Sequence, residues 1–114
     1  MDTRAGRIYH LAGTGETGYT GDGGPAKSAK LAGPKGIAVA PDGNLYLADT
    51  ENHAIRRIDL KTSVITTVAG TGQRGDGPDG DPLKCHLSRP HGIFVDRTGK
   101  IFIADSESHR VRWM

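Results

Sequence analysis

The sequence predicts an all-β fold made of two copies of one repeat, and its composition and internal periodicity both support this. The 114 residues include 17 glycines, only 35% hydrophobic residues and 5% aromatic residues. Such a composition suits short strands joined by tight turns better than a helical bundle. The segment from Gly36 to Asp49 recurs from Gly92 to Asp105 at an offset of 56 residues. Residues 31–58 and 87–114 share eleven identities in twenty-eight positions, which makes the repeat unmistakable.

Each copy predicts four short antiparallel strands. In copy one these are residues 36–40, 44–48, 54–58 and 64–69. The tetrapeptide Pro41-Asp42-Gly43-Asn44 is typical of a hairpin turn, with Gly43 at the position that needs a positive φ. The second strand is apolar on both faces, so it must be covered on both. Buried middle strands and a more polar outer strand describe a blade of a β-propeller.

The motifs of the repeat resemble those of the NHL family. The run from Gly36 to Arg56 resembles the NHL repeat, while Thr67–Gly72 and Gly21–Ala26 resemble its long-loop variety. Copy two departs from the pattern where Ser108 replaces Asn52. The resemblance implies a β-propeller, commonly six-bladed, that serves mostly as a binding platform. We therefore expect one two-blade unit over residues 1–114, with repeat one at about 31–72 and repeat two at about 87–114.

Two blades alone would expose apolar sheet faces and open strand edges. Arg7–Ala12 matches the fourth strand of copy one at an offset of 57, and His109–Trp113 matches the third strand at the offset of 56. The sequence thus predicts that a strand at 7–12 completes the last blade of a neighbouring copy, and that three chains close a six-bladed homotrimer. The expected contact residues are Ile8, Tyr9, Leu11, Val111 and Trp113. The alternative is a fragment of a longer propeller.

The pattern Asp-x-x-x-His occurs in the same loop of both copies, as Asp49 with His53 and as Asp105 with His109. This pattern can ligate a metal or act in acid–base catalysis. Because it recurs with the repeat, we interpret it as structural, with the Asp accepting bonds from loop amides or from the His ring. Arg56 and Arg112 are expected to join the same network, since a guanidinium suits a carboxylate.

Other motifs favour structural roles as well. Gly13-x-Gly15-x-x-Gly18 and its copy at Gly70 match the dinucleotide fingerprint but are followed by more glycine instead of a helix. Asp76, Asp79 and Asp81 lack the full pattern of a calcium loop, so turn formation is favoured. Cys85 is predicted to be a packed thiol. No catalytic residue, cofactor or resident metal is expected, although a trimer axis could gather copies of His10, His86 or His91.

We expect a non-enzymatic, self-assembling scaffold that binds a protein or small ligand through its long-loop face. Tyr19, Lys27, Arg74 and Lys84 are the residues expected to contact such a partner. The alternatives are a lactonase- or lyase-like metal enzyme, for which Asp96 is the one acid on the predicted inner strands, an RNA-binding propeller, and an engineered assembly protein.

The bulk properties exclude several classes of protein. A net charge of +2 without a basic run does not predict nucleic-acid binding. A single cysteine excludes an internal disulfide. No stretch approaches the roughly 20 apolar residues of a membrane span. The chain is expected to be cytoplasmic if Met1 is its native start.

Overall fold

The computed structural model describes residues 6–114, which form two antiparallel sheets. The first sheet has four strands in sequential order: β1 Gly36–Val39, β2 Asn44–Asp49, β3 Ala54–Asp59 and β4 Val64–Ala69. The second has three: β5 Gly92–Val95, β6 Ile101–Asp105 and β7 Arg110–Trp113. The predicted all-β fold is therefore confirmed, and the observed strand ends lie within two residues of the predicted ones. No helix within residues 6–114 is long and apolar enough to cross a membrane.

Short 3₁₀ turns mark equivalent points of the two repeats. Thr50–Asn52 and Ser106–Ser108 follow the second strand of each sheet, and Ala26–Ser28 and Pro82–Lys84 lie in the long loops. The predicted hairpin between β1 and β2 turns at Gly43, whose φ of +88° favours glycine.

The core lies between the two sheets. Tyr46, Ala48 and Ile55 of the first sheet pack against Leu87, Ile101 and Ile103, which belong to the second repeat. A second cluster covers the opposite face of the first sheet, where the long loop lays Ala26 and Ala29 on Leu45, Leu47, Ile58 and Ile65. The strand β2 is thus covered on both faces, as its apolar sequence requires.

The segment Arg7–Ala12 is not a strand of either sheet, contrary to the expectation of a strand there. The strand expected to pair with this segment is β7, the third strand of the second sheet, which has no fourth strand beside it. An isolated extended segment without a partner gains no ladder hydrogen bonds, so it adopts no regular structure.

Candidate functional site

A buried arginine organises the first blade. The Arg56 side chain is fully buried, and its Nη1 donates to Oδ2 of the equally buried Asp49 over 3.2 Å. Its Nη2 donates to Oδ1 of Asp22 over 2.9 Å. The ring of Tyr19 lies with its centroid 5.0 Å from the guanidinium carbon. Arg56 therefore fastens the long loop, which carries Asp22 and Tyr19, to the strands of the blade.

The Asp49 carboxylate is satisfied from three sides. Besides the guanidinium, it accepts a bond from the backbone N–H of Ala32 over 2.7 Å and one from Nδ2 of Asn52 over 2.9 Å. Asn52 also donates to the carbonyl of Gly18, so the 3₁₀ turn and the loop share one network. A carboxylate with its lone pairs committed in this way holds the loop and is poorly placed for proton transfer.

The second blade repeats the arrangement in a more open form. Nε of Arg112 donates to Oδ2 of the buried Asp105 over 2.8 Å, and Asp105 accepts from the N–H of Ser88 over 2.7 Å. Arg112 also binds Asp76 and Asp79. The structure therefore brings Asp49 to Arg56 and Asp105 to Arg112, at the same point of each repeat.

The two histidines of the Asp-x-x-x-His pattern do not lie in these networks. His53 has a φ of +51° and ends the 3₁₀ turn in the left-handed conformation. Its Nδ1 accepts a hydrogen bond from the backbone N–H of Arg89 across the junction between the blades, over 3.0 Å. His109 occupies the equivalent position with a φ of +56° and is exposed. Of the donors expected from the sequence, loop amides and the two arginines bind Asp49 and Asp105, whereas the His rings do not.

The role of His53 predicts a pH-dependent stability. Burial lowers the pKa of His53 from 6.5, and the nearby charges of Arg74 and Arg89 lower it further against opposing carboxylates. A lowered folded-state pKa means that stability is complete above pH 6.5 and is lost as the pH falls through the folded pKa. Protonation removes the acceptor for the Arg89 N–H, worth about 0.5–1.5 kcal/mol.

Urea unfolding at about pH 7.5 and about pH 5 measures this loss. His53→Asn is the control because Asn tolerates the left-handed conformation and does not titrate. We expect the variant to lose less stability than the wild type on acidification. Equal losses would mean that other groups account for the pH dependence.

A chain of charges crosses the junction beside His53. Arg89 pairs with Glu51 of the first blade over 2.7 Å and with Glu107 of the second, and Arg74 binds Glu107 as well. The hydrogen bond from Arg89 holds the pKa of Glu107 below its usual range. The sequence reasoning missed Arg89. The sequence signal for Arg89 is that an arginine stands where copy one has Gly33. In the structure both residues have a positive φ.

The filled junction between the blades has two open counterparts on the outer faces of the molecule. Ile93 and Val95 of β5 pack into the core, whereas the equivalent Ile37 and Val39 of β1 are 66% and 61% exposed. On the opposite side, Ala48 and Ile55 are completely buried, whereas their equivalents Ala104 and Val111 are exposed. Two surfaces meet at the junction between the blades, and the molecule carries an uncovered equivalent of each.

The five predicted contact residues are all exposed in the single chain. Ile8 is 98% exposed, and Tyr9, Leu11, Val111 and Trp113 are also exposed. Nζ of Lys100 lies 3.8 Å from the centroid of the Trp113 ring. Exposed apolar residues that form a contiguous patch are typical of protein contact surfaces.

The four predicted partner residues lie in the two long loops. Tyr19 donates to or accepts from Thr67 Oγ1 over 2.8 Å, and its ring lies close to Gly72. Arg74 is paired with Glu107. Lys27 and Lys84 lie in the exposed 3₁₀ turns of the long loops, and the turn at Lys27 is held beside the β3–β4 hairpin through the bond from Ala26 N–H to the Ser63 carbonyl.

The remaining polar candidates serve turns and ion pairs. Asp76 accepts from Arg110 and Arg112, which lower its pKa, while Asp81 caps the N–H of Leu83. Asp96 accepts from Thr98 and Lys100 in the β5–β6 turn. Burial raises the pKa of the Cys85 thiol. Within residues 6–114, no three His, Cys, Asp or Glu side chains are grouped as metal ligands.

Comparison with known proteins identifies both repeats. The family model described as the Teneurin NHL domain matches residues 11–86, and the NHL repeat model matches residues 87–114. The chain is 37% identical over 84 residues to the Arabidopsis thaliana protein SUPPRESSOR OF QUENCHING 1, chloroplastic, covering 74% of this chain and 8% of that protein. It is 33% identical over 89 residues to human NHL repeat-containing protein 2, covering 76% of this chain and 12% of that protein.

Solved structures share the fold. A Bacteroides thetaiotaomicron protein of unknown function superposes with a TM-score of 0.81 at 28% identity, over 90% of this chain and 26% of that one. An auxiliary nutrient binding protein from the same organism gives a TM-score of 0.77 at 26% identity, over 98% and 30% of the two chains. This chain therefore spans a small part of each protein that it matches. With its two repeats matched from residue 11 to residue 114, the chain belongs to the NHL-repeat family.

Proposed function

We propose that the chain is a non-enzymatic binding scaffold that completes a β-propeller by associating head to tail with copies of itself. The observation that carries the proposal is the pair of open faces, each equivalent to one half of the filled junction between the blades. The exposed Ile37 and Val39 of one copy would take the place of Ile93 and Val95 against the second blade of another. Burying such apolar surface stabilises association by about 25 cal/mol per Å².

A head-to-tail contact that uses two different faces leaves one of each face open until the ring closes. Propellers close with about four to eight blades. Three chains of two blades give six blades, which is the number that the NHL resemblance implies. We therefore propose a homotrimer. In the alternative, supported by the much greater length of the relatives, the remaining blades are supplied by further residues of a longer chain.

For the binding role, the strongest candidate surface is the charged region around the 3₁₀ turns Thr50–Asn52 and Ser106–Ser108. It brings together Glu51, Arg89, Glu107 and Arg74 in one chain of ion pairs. Of the predicted partner residues, Arg74 lies in this region and the Tyr19 ring lies against Gly72, two residues from Arg74. We propose that both contact a protein or small ligand. One solved structure with this fold is an auxiliary nutrient binding protein, which is consistent with a binding role.

The enzyme alternative has weaker support. The acid that a lactonase- or lyase-like site would use, Asp96, has its Oδ1 committed to the N–H and Oγ1 of Thr98 and to the N–H of Lys100. Ligating a metal through that oxygen would break the turn that it holds.

The solution mass of the 114-residue chain tests the assembly. We expect light scattering at micromolar concentration to give three times the 12.1 kDa mass of one chain. A monodisperse monomer would overturn the trimer and favour the longer-chain alternative.

Gly92→Ala tests which faces meet. In the single chain, a Cβ at Gly92 meets only the Ala104 Cβ at 3.5 Å, so we expect no loss of stability. At the equivalent Gly36, a Cβ would strike the backbone carbonyl of His91. In the proposed ring, Gly92 would face the next chain as Gly36 faces the second blade. A Cβ at Gly92 would then strike the carbonyl of Lys35 of the next chain, which is the equivalent of the His91 carbonyl. We expect the variant to fold as a monomer, and an undiminished trimer would contradict the arrangement.

A further inference from the structure

We propose that Arg7–Ala12 of one chain is added as the fourth strand of the second blade of the next chain, and that the Ser106–His109 turn of that blade enters a groove beside Gly13 and Gly33. This inference rests on the proposed head-to-tail assembly and names the segments that carry it. Its basis is that two grooves on the described surface correspond to positions that are filled elsewhere within the chain itself.

The first groove runs along the free edge of β7. It has a volume of about 620 Å³ and is lined by Ala69, Cys85, Ile103 and residues 109–114, among others. Ile103 is the equivalent of Leu47 and Met114 that of Ile58, and in the first blade these two pack around Ile65 of β4. The groove is therefore the position that a fourth-strand residue equivalent to Ile65 would fill in the second blade. Ile65 itself is fully buried in the first blade.

The N-terminal segment carries the matching residues. At the offset of 57, Ile8 corresponds to Ile65 and Leu11 to Val68. Ile8 is 98% exposed, whereas Ile65 is fully buried. A strand added to the edge of a sheet gains its backbone hydrogen bonds there, and its alternate side chains enter pockets of the sheet. Arg7–Ala12 supplies both the length and the apolar side chain that this groove requires.

The second groove lies at the other end of the chain. It has a volume of about 390 Å³ and is lined by residues 10 and 12–17, by Leu31, and by Gly33 with Pro34. At the internal junction, the equivalent positions receive the turn Thr50–His53. There the N–H of Arg89 donates to His53 Nδ1, and Thr50 Oγ1 donates to the carbonyl of Pro90 over 2.7 Å.

The same contacts can form between chains. Gly33 is the equivalent of Arg89 and Pro34 that of Pro90, while His109 and Ser106 correspond to His53 and Thr50. Pro90 is buried and Pro34 is exposed, as expected if the partner of Pro34 lies on another molecule. Gly13 supports this docking, since its equivalent Gly70 leaves no room for a Cβ beside the carbonyl of His53. One chain thus inserts a strand and receives a turn at the same contact.

The register of the added strand follows from β3 and β4. Arg57 lies opposite Thr66, and Ile58 lies opposite Ile65. Transferred by the repeat offsets, Tyr9 lies opposite Trp113 and Ile8 opposite Met114. Directly opposed residues in an antiparallel pair have Cα atoms about 4.5–5.5 Å apart, within the range of about 4.4–6.8 Å that a disulfide spans.

A cross-linking experiment between two single variants tests this register. Chains with Tyr9→Cys are mixed with tagged chains with Trp113→Cys under mild oxidation, both carrying Cys85→Ala because Cys85 lines the same groove. The control pair is His10→Cys with Trp113→Cys, in which the two side chains would lie on opposite faces of the sheet. We expect heterodimers from the first mixture and few from the second. Mixing separate chains excludes pairing of the segment with its own β7.

The outcomes separate the two proposals. A wild-type trimer that gives no heterodimer, or equal cross-linking of both pairs, would overturn the strand exchange and leave the stacked ring standing. A wild-type monomer would overturn the ring, and the yield of heterodimer in the mixed sample would then decide the strand exchange alone.

A substitution in the segment provides a second measurement. We expect Ile8→Asp to raise the apparent dissociation constant of the assembly by about tenfold to a hundredfold, because burial of an isoleucine side chain is lost. Ile8→Val should keep most of the affinity. Both variants should leave the unfolding of the single chain unchanged, since Ile8 is exposed there. Equal affinity of Ile8→Asp and the wild type would contradict the docking of Ile8.

Discussion

Arg56→Met is expected to lower the free energy of unfolding by about 3–5 kcal/mol, because it leaves the carboxylate of Asp49 buried without its cation. Both side chains are completely buried in the first blade. The substitution also frees the carbonyls of Lys30 and Thr20 and the carboxylate of Asp22, which bind the same guanidinium. Urea unfolding followed by circular dichroism measures the loss.

The adjacent Arg57→Met is the matched control. Arg57 is partly exposed and lies on the other face of β3, so we expect its substitution to change stability by no more than about 0.5 kcal/mol. If the cost of Arg56→Met comes from the orphaned carboxylate, Asp49→Asn combined with Arg56→Met should cost less than the sum of the two single changes. Additive costs would show that the pair is not coupled.

Strand positions and turns followed from the sequence because they depend on local patterns. The apolar run of β2, the glycine of the first hairpin and the repeat offset each constrain the backbone within a few residues. The pairing of Asp49 with Arg56 could also be anticipated, since both residues recur at one spacing in both copies. These features repeat, so each copy supports the interpretation of the other.

What differs between the copies could not be anticipated in the same way. His53 was grouped with Asp49 because the Asp-x-x-x-His pattern recurs in both copies, yet the partner of His53 is the N–H of Arg89, thirty-six residues along the chain. That contact exists only where two blades meet. The same reason explains Arg7–Ala12, whose pattern predicts a strand but which pairs with neither sheet of its own chain. A local pattern indicates which structure a segment can adopt, and the neighbouring surface decides whether it does.

Gly36→Ala is expected to destabilise the single chain by about 3 kcal/mol, whereas Gly92→Ala at the same point of the second repeat should cost almost nothing. A Cβ on Gly36 meets the His91 carbonyl and lies 3.3 Å from the Cα of Gly92, and backbone atoms cannot move aside as a flexible side chain can. Both changes insert one methyl group into an equivalent strand, so β-propensity cancels between them. Urea unfolding at concentrations that keep the chains separate measures the difference. Values within about 0.5 kcal/mol of each other would mean that the blades can separate at little cost, and a junction so loose could not serve as the pattern for contacts between chains.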